Sequence, residues 1–339
     1  MPTLTPPTSD ALRDALAEAL AAGRPVEVTA GGSKRGWGNR VEAIDRLDLS
    51  ALSGILLYQP EELVLTALAA TPLAEIDAAL SARRQRLAFT ALSGRGEAFK
   101  AGGRVVKNVT GFDLAKLMAG SFGTLAVMSE VTVRVVPAAE RAATLLVPAA
   151  DATAALAVMT GAAAGRFEIS GAAYLPAGVG DAEGRVALRL EGPAPSVAAR
   201  LDGLGDGARL DDDGTAALWR AIGDASVLAA DRSENLWRLS VPPAAAPAVV
   251  AALAVMTGAG GRWFLDWAGG LIWLATRADD DIRPALAACG GHATLMRAPD
   301  ALKRTLSVFH PQPAALAALS ERVRRAFDPG ALLNPGRMS

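Results

Sequence analysis

The run from Lys107 to Pro137, KNVTGFDLAKLMAGSFGTLAVMSEVTVRVVP, dictates much of what surrounds it. Leu114, Leu117 and Met118 recur at i, i+3 and i+4, which predicts two turns of helix over 114–119 with one apolar face. Asp113 stands at the N-cap position, where a carboxylate accepts from free first-turn amides. Gly120 ends the helix, and Gly120-Ser121-Phe122-Gly123-Thr124 forms a short loop. Its glycines permit positive φ and the close approach of another surface. Leu125, Val127, Val131, Val133 and Val135 then share one parity, the period of a half-buried strand, which Pro137 closes. On pattern alone, a tightly packed corner and a ligand-contacting loop both fit.

The preceding residues alternate strands and helices. Asp10 is expected to cap a helix over 11–22, with Leu12, Leu16, Ala19 and Leu20 inward and Gly23 as its stop. Residues 25–29, PVEVT, read as a strand. Gly31-Gly32-Ser33-Lys34-Arg35 follows, a glycine-rich turn with two cations that suits an anion or simply water. It matches neither the dinucleotide-binding G-x-G-x-x-G nor the phosphate-binding G-x-x-x-x-G-K-[ST]. Strands are expected over 54–58 and 63–69. Thr71 is then expected to cap a helix with Pro72 at its first position and Leu73, Ile76, Ala79 and Leu80 facing the core.

Beyond Pro137 an identical octamer, ALAVMTGA, occurs at 155–162 and at 252–259. Each copy lies between predicted strands (143–147 and 167–169; 236–241 and 262–265). Further strand and helix patterns follow each copy: 186–190 and 195–204, then 271–275, 281–288 and 292–295. Two such halves point to a ferredoxin-like, α/β-plait arrangement. Asp211-Asp212-Asp213-Gly214 reads as a solvated loop, and Trp263, Trp267 and Trp273 as hairpin core. A helix over 314–325 precedes DPGALLNPGRM, rich in turn signals.

At 339 residues the chain exceeds the usual span of one hydrophobic core, so two domains are expected. A formal net charge of −1 offers no basic field for nucleic acid. The lone Cys289 excludes a disulfide framework or a cysteine-ligated cluster within this chain. His292 and His310, the only histidines, make no metal site. The N-terminus lacks the pattern of a secretory signal, and no apolar run suits direct membrane insertion, so the cytoplasm is the expected compartment.

The run KNVTGFDLAKLMAGSFGTLAVMSEVTV resembles the third flavin-contacting segment of FAD-linked oxidases of the vanillyl-alcohol-oxidase type, the PCMH-type fold. Its variant is similar to that of the FAD-binding subunits of bacterial glycolate oxidases. The resemblance implies an α+β chain: a PCMH-type FAD-binding domain over 1–137, a short ferredoxin-like cap domain over 138–313, and a helix and tail, 314–339, returning to the first domain. It implies non-covalent FAD near Gly31, Gly32, Ser33, Lys34, Gly111, Asp113, Gly120, Ser121, Gly123, Thr124, Val127, Asn334 and Gly336. Relatives carry a second pyrophosphate segment after the position of Phe89. Here Thr90-Ala91-Leu92-Ser93-Gly94 follows at once, a departure that would weaken FAD binding.

The resemblance further implies an accessory subunit in the oxidation of glycolate to glyoxylate. Its partners would be a larger catalytic FAD subunit and an iron–sulfur subunit, through which it could lie peripherally at the inner membrane. No general base for a hydroxyl proton stands out, although Arg297 and Lys303 could hold a carboxylate. A self-sufficient FAD oxidase of a small 2-hydroxy acid, or a scaffold subunit without FAD, fits the same residues.

Overall fold

The computed structural model describes residues 2–32, 35–87, 114–228, 231 and 233–338. The chain divides into two compact units, Met1–Ala138 with Pro311–Ser339, and Ala139–His310.

In the first unit, β1 (Thr3–Leu4), β2 (Val26–Thr29) and β3 (Asp45–Asp48) form a parallel sheet in the order β1-β3-β2. Helix Ser9–Ala21 connects β1 to β2 and buries Leu12, Leu16 and Ala19, whereas Leu20 is exposed. Its cap is Thr8, whose hydroxyl accepts from the Ala11 amide at 3.1 Å. Asp10 lies inside the first turn, where its charge still complements the helix dipole. β4 (Ile55–Gln59), β5 (Val64–Leu68), β6 (Gln85–Leu87) and β7 (Glu130–Pro137) make an antiparallel sheet in the order β4-β5-β7-β6. Leu65, Val133 and Val135 pack there against Ile76 and Leu80 of helix Leu73–Ser81.

Three expectations fail here for physical reasons. β7 begins at Glu130, because Leu125 and Ala126 are drawn into a separate cluster with Met118, Val323 and Phe327. Thr71 does not cap its helix. Its hydroxyl instead joins the Leu68 and Gly54 carbonyls, at 2.7 and 3.1 Å. Leu73 is 63% exposed, and the helix buries only Ile76 and Leu80.

In the second unit, β8 (Arg141–Pro148), β9 (Gly171–Leu175), β10 (Arg185–Gly192), β11 (Ala208–Leu210), β12 (Asn235–Ser240), β13 (Arg262–Asp266), β14 (Leu271–Thr276) and β15 (His292–Arg297) form one antiparallel sheet. The order is β11-β8-β10-β9-β13-β14-β12-β15. Each half therefore has the interleaved order of a ferredoxin-like plait, and β9 joins β13 through Leu265 and Tyr174. The first octamer lies within crossover helix Ala152–Ala164, and the second starts in the corresponding helix Ala246–Thr257 and runs two residues beyond it. They turn different sides inward. Ala155 and Met159 are fully buried in the first, while Leu253 is buried and Val255 is 86% exposed in the second.

One face of this sheet packs with those two helices and with Ala194–Gly203 around fully buried Trp237 and Leu145. Helix Asp212–Gly223 packs on the other face, near Ala173, Phe264 and Trp273. The aspartate run is thus a helix start. Asp211 accepts from the Gly214 amide at 2.9 Å, and Asp212 accepts from the Ala142 amide and pairs with Arg141. The segment 281–288 holds a single 3₁₀ turn, Arg283–Leu286, in place of a helix. Strand β9 starts at Gly171, after 167–169. Trp273 is core, but Trp267 is 58% exposed.

Candidate functional site

Three stretches of the first unit converge on β2: the turn that follows it, the loop 120–124 and the C-terminal tail. The tail runs beside β2 and closes its open edge. The Val26 amide donates to the Leu332 carbonyl at 2.8 Å, and the Asn334 amide donates to the Val26 carbonyl at 2.9 Å. Asn334 is buried with φ of +44°, a conformation that asparagine tolerates better than most residues. Its side-chain Oδ1 accepts from the Val28 amide at 2.8 Å, and its Nδ2 donates to the Phe122 carbonyl at 2.9 Å. One amide group thereby ties β2, the 120–124 loop and the tail together.

That arrangement explains Gly123. At φ of +69°, a Cβ added there would sit 2.6 Å from Asn334 Nδ2. Gly336, at φ of +82°, is constrained similarly by the Arg40 carbonyl. Thr124 is buried and closes its own turn, donating from Oγ1 to the Ser121 carbonyl at 2.7 Å. Val127 packs between two apolar clusters and is a core contact.

Beneath the turn lies a charge cluster. Glu27, buried on β2, receives Arg35 at 2.9 Å and Arg46 at 3.2 Å, with Arg337 Nη2 at 3.6 Å. Arg337 is itself buried, and its Nη1 donates to the Arg35 and Trp37 carbonyls at 2.8 and 2.7 Å. Three guanidiniums around one carboxylate leave the cluster positive. Above it is a cleft of about 240 Å³ lined by Gly31, Gly32, Arg35, Trp37, Phe122 and Asn334, with Arg337.

Burial pushes the Glu27 carboxyl up, but hydrogen bonds and charge from Arg35 and Arg46 outweigh it and hold the group below its ordinary value of 4.5. The folded chain thus binds this proton less tightly than the unfolded one. The stabilisation is present above about pH 4.5 and is lost as pH falls through the depressed value. Melting curves should show wild type losing stability more steeply than Glu27→Gln below pH 4.5. Parallel curves would remove Glu27 from the acid response.

Among the residues singled out in the sequence, Gly31, Gly32 and Asn334 line one cleft, Gly123 abuts Asn334, and Gly336 shapes the tail beside it. Gly120 has open space around its Cβ position. Ser121 is buried and contributes a carbonyl to the loop. Ser33, Lys34, Gly111, Asp113 and the junction after Phe89 lie outside the described residues. Sequence reasoning missed Glu27, Phe122 and Arg337. Glu27 had a visible signal, a charge inside the apolar strand PVEVT.

Residues 3–119 match a family model described as an FAD binding domain. The chain carries an FAD-binding domain. The cofactor of this domain is FAD.

Glycolate oxidase subunit GlcE of Escherichia coli (strain K12) is 28% identical to the chain, covering 97% of each. That alignment runs over 368 residues against the 339 of this chain, so the relative carries residues with no counterpart here. Glycolate oxidase subunit GlcD of Bacillus subtilis (strain 168) is 43% identical over 51 residues, 15% of this chain and 11% of that protein.

Among solved structures, 4-ethylphenol oxidase from Gulosibacter chungangensis superposes with a TM-score of 0.71 at 11% identity, covering 99% of this chain and 88% of that one. An alkyldihydroxyacetonephosphate synthase superposes with a TM-score of 0.65 at 12% identity, covering 98% and 75%. These likenesses establish the fold, a mixed helix and sheet architecture that contains a PCMH-type FAD-binding domain. Among the described residues, no helix is long and apolar enough to cross a membrane.

Proposed function

We propose that this chain is the FAD-binding subunit of a glycolate oxidase, working in a complex that converts glycolate to glyoxylate. The observation that carries this reading is the similarity to GlcE along 97% of both chains, rather than over the FAD-binding domain alone. The residues of the first unit suit the cofactor. The pyrophosphate of FAD is a dianion, and the cleft offers it the backbone of Gly31 and Gly32 above an arginine-rich cluster. A Cβ at Gly31 or Gly120 would meet nothing within 4 Å, so both backbones are open to a ligand. Ser33, Lys34, Gly111, Asp113, Ser121 and Thr124 complete the proposed cofactor site.

The proposed binding is non-covalent, since neither histidine nor Cys289 lies in a flavin-binding stretch of the sequence. FAD supplies the two-electron acceptor for alcohol oxidation. The fuller proposal adds a larger catalytic flavoprotein and an iron–sulfur subunit as partners, through which the chain would lie at the inner membrane. The expected division of labour is that the purified chain, supplied with FAD, oxidises glycolate only alongside its partner flavoprotein. The test is an assay with an artificial electron acceptor, run with each component omitted in turn.

A further inference from the structure

We propose that the C-terminal tail is a latch coupled to the cofactor's charge: docking of residues 332–338 on β2 and binding of the FAD pyrophosphate each strengthen the other. This deepens the FAD-binding reading and rests on it. Residues 328–338 form no helix or strand, so the tail owes its place to what it touches. Besides its bonds to Val26, its Pro335 carbonyl accepts from the Glu42 amide at 3.1 Å and its Arg337 carbonyl from the Asn39 amide at 3.0 Å. The Leu333 amide donates to Asp328 Oδ2 at 2.9 Å, and the Leu332 and Leu333 side chains are buried.

What the tail brings to the cleft is charge. Arg337 and Arg35 both line it. Glu27 is the one carboxylate paired with Arg35, Arg46 and Arg337 among the described residues, so the three guanidiniums keep two positive charges without a counter-ion there. The Arg337 side chain is buried, and burial pulls its guanidinium below the ordinary value. Glu27 opposes that shift, and the charge of Arg35 adds to it. Without an anion in the cleft, docking of the tail works against both desolvation and like-charge repulsion.

A pyrophosphate in the cleft supplies counter-charge to Arg35 and Arg337 together, and it does so only while the tail is docked. An equilibrium shared in this way is reciprocal. The anion favours the docked tail by the same factor by which the docked tail favours the anion. Undocking is a local opening: Asn334 and Arg337 leave the cleft while the sheet that holds β2 stays folded. The flavin ring carries no comparable charge, so the coupling follows the phosphates.

Amide hydrogen exchange of the full chain reads the latch directly, because the Val26, Asn39 and Glu42 amides donate to tail carbonyls and the Asn334 amide donates to Val26. FAD should slow these amides about 10-fold or more. ADP, which carries the pyrophosphate without the flavin, should slow them too, and riboflavin, which has no phosphate, should not. Amides of β14 in the second unit should keep their rates, and equal slowing there would mean general stabilisation and count against the latch. Arg35→Met removes the repulsion at an exposed position, so its tail should exchange more slowly than that of wild type without any ligand. Flavin fluorescence follows FAD binding in the same samples. Bound FAD with no slowing at these amides overturns the latch, as does slowing by FAD with none by ADP, or a ligand-free Arg35→Met tail that exchanges as fast as wild type. Each of these outcomes leaves the FAD-binding reading standing, whereas a chain that binds no FAD removes both.

Discussion

Gly123→Val is expected to abolish FAD retention and to lower stability by about 3–5 kcal/mol. Two costs combine. A β-branched residue at φ of +69° is strained by roughly 1–2 kcal/mol or more. The new Cβ would also stand 2.6 Å from Asn334 Nδ2. Asn334 would then give up its bonds to Phe122 and Val28, leaving buried backbone groups unpaired at about 1–3 kcal/mol. The loop, β2 and the tail lose their shared tie, and the cleft loses its shape. Gly23→Ala is the control. It carries a similar backbone cost at φ of +60° but meets open space and lies outside the cofactor cleft, so it should fold and keep its flavin. Flavin absorbance and melting temperature read both variants. Full flavin in Gly123→Val would detach this loop from the site.

Arg337→Met should weaken FAD binding about 10- to 100-fold and cost about 2–4 kcal/mol of stability. Methionine keeps the apolar stem but removes the donor shared by the Arg35 and Trp37 carbonyls. The turn over Gly31 and Gly32 loses its anchor, and Glu27 loses one of three neighbouring cations. Arg337→Lys should recover little, because an ammonium cannot reproduce the planar fork that reaches both the turn and Glu27. Equilibrium titration of FAD by fluorescence measures the change. Unaltered affinity in both variants would place the pyrophosphate away from this cluster.

The second-unit plait was legible because strand and crossover-helix patterns alternate clearly, and because the identical octamer marks corresponding helices. What could not be read was which side of each octamer helix turns inward, since alanine and valine carry too little polarity to orient it. The glycine loops were legible as loops, yet the cause of Gly123 was hidden. Its freedom serves Asn334, a residue more than two hundred positions away in sequence. The extent of β7 was misread for a related reason: Leu125 has the parity of a strand residue, but a contact from helix Ala314–Phe327 claims it first.

Glycolate oxidation by the assembled complex, measured with this chain present, omitted and then added back, bears most directly on the functional reading. The rate should fall to background when the chain is omitted and return in proportion to the FAD-loaded chain supplied, while the chain alone stays idle. Undiminished glycolate turnover without this chain would contradict its assignment as a glycolate oxidase subunit.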